Sequence, residues 1–300
     1  MKRKALFSVI IPLYNKADYI LKTLSSIIYQ SFEDYEVVIV DDGSTDDSVE
    51  KICLHFQDER IRIISQDNSG PAKARNTGVQ NALSEWVVFM DADDYFLPNA
   101  FKTFHSLITT NPDIDYFITN YYFKSKDQCV LATQKRHHGV VRHPFYWEYL
   151  GFLSGRPGTE LIRMSLMKQC LFNEQYRRYE DAECQYRIIN KTETFQTDIP
   201  VMITDRDASE AASFRKNIEE DFLGHLEFQG KSFWEQMQLY KLALEAREGY
   251  GDEVGVRYKH VLGSFRYKIT NKVMRFIYKK FLRHRPSVIP FCELVKNDVL

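Results

Sequence analysis

Trp86-Val87-Val88-Phe89-Met90-Asp91-Ala92-Asp93-Asp94 is an apolar run of buried-strand length that ends in three carboxylates within four positions. Two carboxylates about 4 Å apart repel by roughly 4 kcal/mol at an effective dielectric near 20. No Lys or Arg lies between Lys73/Arg75 and Lys102 to relieve them locally. Such a cluster at a strand end calls for a cation, either a metal or a cationic ligand group, and hard divalent ions suit carboxylate oxygens best. A plain turn would also explain the acids, because Asp favours turns and caps. The neighbouring segments decide between the two.

Those neighbours alternate strand-like and helix-like patterns. Phe7-Ser8-Val9-Ile10-Ile11 is β-branched and apolar, and Pro12 interrupts it. Ala17 to Gln30 carries Ile20, Leu21, Leu24, Ile27 and Ile28 at helical spacing. Val37-Val38-Ile39-Val40 reads as a buried strand ending at Asp41-Asp42-Gly43-Ser44. Asp47 and Glu50 predict a capping box for a helix over 48–56. Ile61-Arg62-Ile63-Ile64 is a third strand, 72–83 a helix and 86–90 the fourth strand. Strands alternating with helices predict an α/β fold with a mainly parallel sheet covered on both faces. Ligands in such sheets bind beyond the carboxyl ends of the strands. All four strands run out into polar residues there: Tyr14-Asn15, Asp41-Asp42, Asp67-Asn68 and Asp91-Asp93. This convergence favours a binding site over four unrelated turns.

Beyond Asn99 the pattern is less regular. Val130–Arg142 predicts short strands and loop, and Gly155-Arg156-Pro157-Gly158-Thr159-Glu160 a turn before a helix. Helices are predicted over 166–171 and 181–189, with a strand over 195–199. From Glu219 to Glu248, Phe222, Leu226, Phe233, Met237 and Leu244 stay roughly in phase, predicting one long helix.

The motifs Val9-Ile10-Ile11-Pro12-Leu13-Tyr14-Asn15, Ser25-Ser26-Ile27-Ile28-Tyr29-Gln30, Val40-Asp41-Asp42-Gly43-Ser44-Thr45-Asp46, Ala74-Arg75-Asn76-Thr77-Gly78 and Phe89-Met90-Asp91-Ala92-Asp93-Asp94 follow one another over residues 6–100. In order and spacing they resemble family 2 of the nucleotide-sugar-dependent glycosyltransferases, which have the GT-A fold. Tyr179-Glu180-Asp181 resembles the family's later Glu-Asp motif and extends the likeness to about residue 200. The resemblance implies a GT-A domain over 1–210, with a nucleotide-sugar half over 1–110 and an acceptor half over 111–210. Residues 211–300 then form a helical C-terminal region.

The resemblance also implies roles. The nucleotide base would be held by Pro12, Tyr14 and Asp42; a carboxylate suits the uracil N3–H donor, and Tyr14 offers a stacking face. Arg75 stands where the family places a basic residue near the nucleotide, although pairing with Asp91 or Asp67 is an equal alternative. Asp91-Ala92-Asp93 matches the metal motif. Asp93 is expected to ligate Mn²⁺ or Mg²⁺, with Asp91 on ribose or metal-bound water, Ala92 beside the sugar nucleotide and Asp94 as a cap for the following segment. Asp181 matches the general base of an inverting transfer, and a helix N-terminus decorated with acids is the plainer alternative. The 155–160 segment stands where the family has an acceptor-side loop, which the resemblance implies could touch the donor sugar, with a plain loop as an equal alternative. His137, His138 and His143 lack a matching metal cluster, and 42–53 fails as a calcium loop because Asp47 and Cys53 stand where Gly and Glu are needed.

Composition bounds the remaining possibilities. The 300 residues, 44% hydrophobic and 14% aromatic, support a substantial core, and a formal net charge of -1 argues against a dedicated nucleic-acid binder. Five scattered cysteines form no disulfide framework, which fits a reducing cytoplasm. The basic N-terminus leads into a first strand and not a signal peptide. Between Val254 and Arg285 there are ten Lys/Arg and no acid, interleaved with aromatics. Leu262, Phe265, Ile269, Val273, Phe276 and Phe281 fall near one helical face, a pattern suited to an anionic membrane interface or to packing on the catalytic domain. The family resemblance, taken with this basic segment, implies as partners a nucleoside-diphosphate (UDP) sugar and a glycan or lipid-linked acceptor, at the inner face of a bacterial plasma membrane. A nucleotidyltransferase is a rival, but it needs a Gly-rich loop where this chain has Pro12-Leu13-Tyr14-Asn15-Lys16. A non-catalytic sugar-nucleotide-binding module is a second rival, and it would have no need of both Asp93 and Asp181.

Overall fold

The computed structural model describes residues 5–133, 137–207, 217–282 and 288–291. Its strands are β1 (Phe7–Leu13), β2 (Tyr35–Asp41), β3 (Ile61–Ser65), β4 (Trp86–Phe89), β5 (Tyr95–Phe96), β6 (Tyr116–Ser125), β7 (Gln128–Leu131), β8 (His138–Val140), β9 (Glu160–Arg163), β10 (Thr194–Asp205) and β11 (Val288–Pro290). The helices are α1 (Ile20–Ile28), α2 (Ser48–His55), α3 (Pro71–Asn81), α4 (Ala100–Thr110), α5 (Pro144–Tyr149), α6 (Met164–Met167), α7 (Glu180–Ile189), α8 (Phe233–Tyr250), α9 (Asp252–Arg257), α10 (Lys259–Gly263) and α11 (Phe265–Ile277).

One sheet organises the molecule, in the order β11-β7-β6-β9-β4-β1-β2-β3. The strands β3-β2-β1-β4 are all parallel, as the alternation of strands and helices predicts. Past β4 the sheet turns mixed: β9 runs antiparallel to both β4 and β6, and β10 pairs parallel with β6 while catching β5 and β8 antiparallel. Because successive strand residues face opposite sides, the central strands feed two cores. Ile10, Val38, Val40, Val87 and Phe89 point to one face, under α3, α7 and the C-terminal helices. Val9, Ile11, Val37, Ile39, Trp86 and Val88 point to the other, under α1 and α4. The first core continues to Leu242, Val254 and Met274, so the C-terminal helices share it. Gly78 of α3 shows how closely that face is packed: a Cβ there would lie 2.3 Å from Ile10 Cγ2.

Register brings the strand ends together, with Leu13 opposite Asp41 and Asp41 opposite Ser65. Pro12 falls where its missing N–H does little harm, since β1 last pairs with β4 at Ile10–Phe89. Asn15 adopts a left-handed φ of 50° and its side-chain oxygen accepts from Thr45 N at 2.8 Å, tying the β1 and β2 loops to each other.

Several expectations are corrected. Asp47 makes no capping hydrogen bond; Asp46 accepts from Ser48 N at 3.1 Å and Ser48 Oγ at 2.5 Å instead. The 155–160 turn leads into strand β9, and the helix expected over 166–171 is the single turn α6. The long helix expected from Glu219 is two 3-10 turns, Ile218–Glu220 and Phe222–Gly224, followed by α8. Buried Asp221 causes the break by accepting from Leu223 N at 2.9 Å and Tyr250 Oη at 2.6 Å. Ser232 then caps α8 through Glu235 N at 3.3 Å, a Ser-x-x-Glu signal that the in-phase apolar residues obscured. Leu262 is buried on α10 and does not share a face with Phe265 of α11. Phe281 and Cys292 lie outside the described side chains. Cys53, Cys129, Cys170 and Cys184 are free thiols. No helix among the described residues is long and apolar enough to cross a membrane.

Candidate active site

The acids after β4 find their cations in distant parts of the chain. Lys16 Nζ lies 2.9 Å from Asp93 Oδ2, Arg75 Nη2 2.9 Å from Asp91 Oδ1, and Arg156 Nη2 3.3 Å from Asp94 Oδ2 and 3.9 Å from Asp91 Oδ2. The turn itself is pinned from below by buried Thr23, whose Oγ1 is 2.9 Å from Ala92 O and 2.7 Å from Asp94 O. Burial pushes Asp93 above the usual carboxylate range, with Lys16 pulling against it and Asp91 adding to it. Burial does the same to Asp94, against Arg156. Asp94 is not a helix cap: Thr204 Oγ1 is 3.3 Å and Asp205 N 3.1 Å from its carboxylate, so it fastens the turn to β10.

Arg75 is the hub. Its second arm, Nη1, donates to Glu180 Oε1 at 2.7 Å, so one guanidinium joins the Asp91-Ala92-Asp93 turn to the Tyr179-Glu180-Asp181 motif at the start of α7. The Arg75 and Glu180 side chains are only 5% and 7% exposed. The pairing alternative for Arg75 is therefore realised with Asp91, not with Asp67. Glu180 is pushed up by burial and pulled down by Arg75. Asp181 is partly exposed, and among the described residues its Oδ1 accepts from the neighbouring Ala182 N at 2.8 Å. It lies close enough to Arg75, Arg156 and Glu160 to bear on the charge of each. Within the Glu-Asp pair, Glu180 is committed to structure and Asp181 is the freer group.

The 155–160 loop closes this side. Gly158 has φ +91°, and a Cβ there would come within 2.2 Å of Met202 Sδ. Thr159 Oγ1 accepts from Arg156 N at 3.0 Å, which aims Arg156 at the acids. Glu160 Oε1 takes hydrogen bonds from Tyr116 Oη and, at 3.0 Å, from Gln185 Nε2. Burial lifts Glu160 to about 7.

The predicted nucleotide side is assembled at the ends of β1 and β2. Tyr14 is 47% exposed and free to stack. Asp42 is buried, and its carboxylate already accepts from Gln66 Nε2 at 2.7 Å, Ser69 N at 2.9 Å and Gly70 N at 2.8 Å. Pro12 is half-buried within β1. Ala92 packs into the α1/α4 core, so its side chain faces away from any ligand. Lys16 and Glu160 stand in motifs the sequence displays but with no role evident there, and Thr23 is an interior position of α1 with no sequence signal of its own.

The donor set fits a hard divalent ion. The acids Asp91, Asp93, Asp94, Glu180 and Asp181 outnumber the cations Lys16, Arg75 and Arg156 around the turn. Among the described residues no group of three or more His, Cys, Asp or Glu could hold a metal by itself. An ion here would complete its shell with phosphate oxygens and water, as Mg²⁺ commonly does. His138 Nδ1 instead lies 3.1 Å from Thr197 Oγ1.

The model of the family described as "Glycosyl transferase family 2" matches residues 8–171, and the chain belongs to this family. The chain is 32% identical over 199 residues to Glycosyltransferase GlyG of Streptococcus pneumoniae, covering 61% of this chain and 64% of GlyG. It is 30% identical over 188 residues to the minor teichoic acid biosynthesis protein GgaA of Bacillus subtilis, covering 59% of this chain and 42% of GgaA. The chain thus spans less than two thirds of either relative. In fold it is similar to S. aureus TarS 1-349 in complex with UDP-GlcNAc, with a TM-score of 0.58 and 19% identity over 93% of each chain. The GT-A architecture expected from the motifs is therefore the fold observed.

Proposed function

We propose that the chain is an inverting glycosyltransferase that moves a sugar from a UDP-sugar to a hydroxyl of a glycan or lipid-linked glycan, in surface polysaccharide synthesis. The observation that carries this is the Arg75 bridge, which joins the Asp91-Ala92-Asp93 turn through Asp91 to Glu180, the neighbour of Asp181. Family membership, the teichoic acid relative and the UDP-GlcNAc-bound structural neighbour support it.

In this reading Tyr14 stacks on the base, with Pro12 and Asp42 shaping its edge. Asp93, with Asp91 beside it, would hold Mn²⁺ or Mg²⁺. When bound, the metal neutralises charge building on the leaving diphosphate. Arg75 and Arg156 keep Asp91 in place, and Lys16 holds Asp93. Asp181 accepts the proton of the acceptor hydroxyl as that oxygen bonds to the anomeric carbon on the face opposite the leaving group. The anomeric C–O bond breaks, and its electron pair leaves with UDP. The protein works peripherally at the inner face of a bacterial plasma membrane, where a lipid-linked acceptor is presented.

The test is Asp181→Asn. General-base catalysis contributes about 10²–10⁴-fold, so sugar transfer should fall by that factor while UDP affinity and folding stay unchanged. Full turnover in the variant would overturn the assignment. UDP binding with no transfer by the wild type to any hydroxyl acceptor would favour the non-catalytic module.

A further inference from the structure

Helix α11 has two apolar faces, and the protein uses only one. Met274 is buried, and Tyr267, Ile277 and Tyr278 pack on the core. Tyr149 Oη donates to Asn271 Oδ1 at 2.6 Å on the same side. At 3.6 residues per turn, Phe265, Ile269, Val273 and Phe276 fall within an arc of about 80° on the opposite side. All four are exposed, Phe265 by 77% and Phe276 by 59%. A contiguous stripe of large exposed apolar side chains marks an interaction surface. Its borders are cationic: Lys268, Lys272, Arg275 and Lys279 line one edge, and Arg266 and Lys280 stand near the other. Among the described residues, Lys268, Lys272 and Lys279 form no ion pair with an acid of the chain.

We propose that this outward face of α11 docks on an anionic lipid surface. Charge complementarity selects that occupant: the apolar stripe is rimmed by cations within a 32-residue stretch, Val254 to Arg285, that holds ten Lys/Arg and no Asp or Glu. A helix lying in the interface buries its apolar face and sets its cations among anionic headgroups. The packing also links α11 to the Arg156 side of the site. Besides the Tyr149–Asn271 bond, α11 meets the segment after α5 where the Phe152 ring lies 5.7 Å from Tyr278. That segment leads directly to Arg156, which contacts Asp91 and Asp94.

The test is co-sedimentation of the full chain with vesicles of phosphatidylcholine alone and with about one third phosphatidylglycerol, at low and high salt. The wild type should bind the anionic vesicles, lose binding in high salt, and bind neutral ones weakly. At roughly 1 kcal/mol per cation, Lys268→Gln/Lys272→Gln/Lys279→Gln should lower the partition coefficient on the order of a hundredfold. Phe265→Ser/Ile269→Ser/Phe276→Ser should also release the protein, with unchanged thermal stability because these side chains are exposed. Equal binding by the serine variant, or no preference for anionic vesicles, would overturn the proposal. So would self-association through this face in sedimentation velocity without vesicle binding. UDP binding measured on the same variants should not change, so vesicle binding without UDP binding would fault the glycosyltransferase reading and leave this one standing.

Discussion

Replacing Arg75 with Met keeps most of the side-chain volume and removes the cation that joins the two acidic motifs. Truncating one member of a buried ion pair costs about 3–5 kcal/mol, because the partner is left charged and buried. The two partners differ here. Asp91 is 28% exposed and regains water, so its share is small, whereas Glu180 is 7% exposed and is stranded. A loss of about 3 kcal/mol at pH 8 follows. The sign with pH is fixed by Glu180, which burial already pushes up and Arg75 holds down. Without Arg75 it rises further, so the destabilisation is full above that raised value and fades as the pH falls toward the ordinary carboxylate range and Glu180 becomes neutral. Urea unfolding of wild type and Arg75→Met between pH 5 and 8.5 measures this directly. The double variant Arg75→Met/Glu180→Gln should recover most of the loss, since the stranded charge is gone. A loss below about 1 kcal/mol that does not change with pH would refute the hub.

Two further outcomes follow from the same geometry. Tyr14→Ala should weaken UDP binding by about 5- to 150-fold, from the roughly 1–3 kcal/mol of a base–aromatic stack, with unchanged stability because the ring is exposed; isothermal titration calorimetry reads the affinity and thermal unfolding the stability. Glu160 sits at about 7 against a usual 4.5, so its neutral form is favoured in the fold, and the stability it contributes at low pH is lost as pH rises through 7. Glu160→Gln should therefore be more stable than wild type by up to about 3 kcal/mol at pH 8.5, an advantage that shrinks as pH falls through 7 toward 4.5 and is gone below about pH 4, by denaturant titration at each pH.

The first four strands and three helices were legible because their patterning is local. Val9, Ile11, Val37 and Ile39 alternate at period two, and Ile20, Leu24 and Ile27 repeat at helical spacing. The acids were legible too, because β4 ends where its apolar run ends. Their counter-charges were not. Lys16 meets Asp93 across 77 residues and Arg75 meets Glu180 across 105, and long flexible side chains leave no periodic trace of where they will reach. A local search for neighbouring cations therefore found none. The same limit explains Asp94, whose partners Arg156, Thr204 and Asp205 belong to another part of the sheet. In the C-terminal region the in-phase apolar residues from Glu219 to Glu248 predict one helix, whereas buried Asp221 confines the α-helix to Phe233–Tyr250. On α11 the apolar residues form two stripes, and a single-face description merges Leu262 with Phe265 although one is buried and the other exposed.

The proposed function depends on the Asp91-Ala92-Asp93 turn, which would hold a metal-bound nucleoside diphosphate. Calorimetry of UDP binding with Mn²⁺ and again in excess chelator tests this, with Asp93→Asn as the internal control. UDP should bind with Mn²⁺ and at least about tenfold more weakly without it, a coupling of roughly 1.4 kcal/mol or more. Asp93→Asn should be weak in both conditions. Equal UDP affinity in Mn²⁺ and in chelator, unaltered by Asp93→Asn, would contradict it.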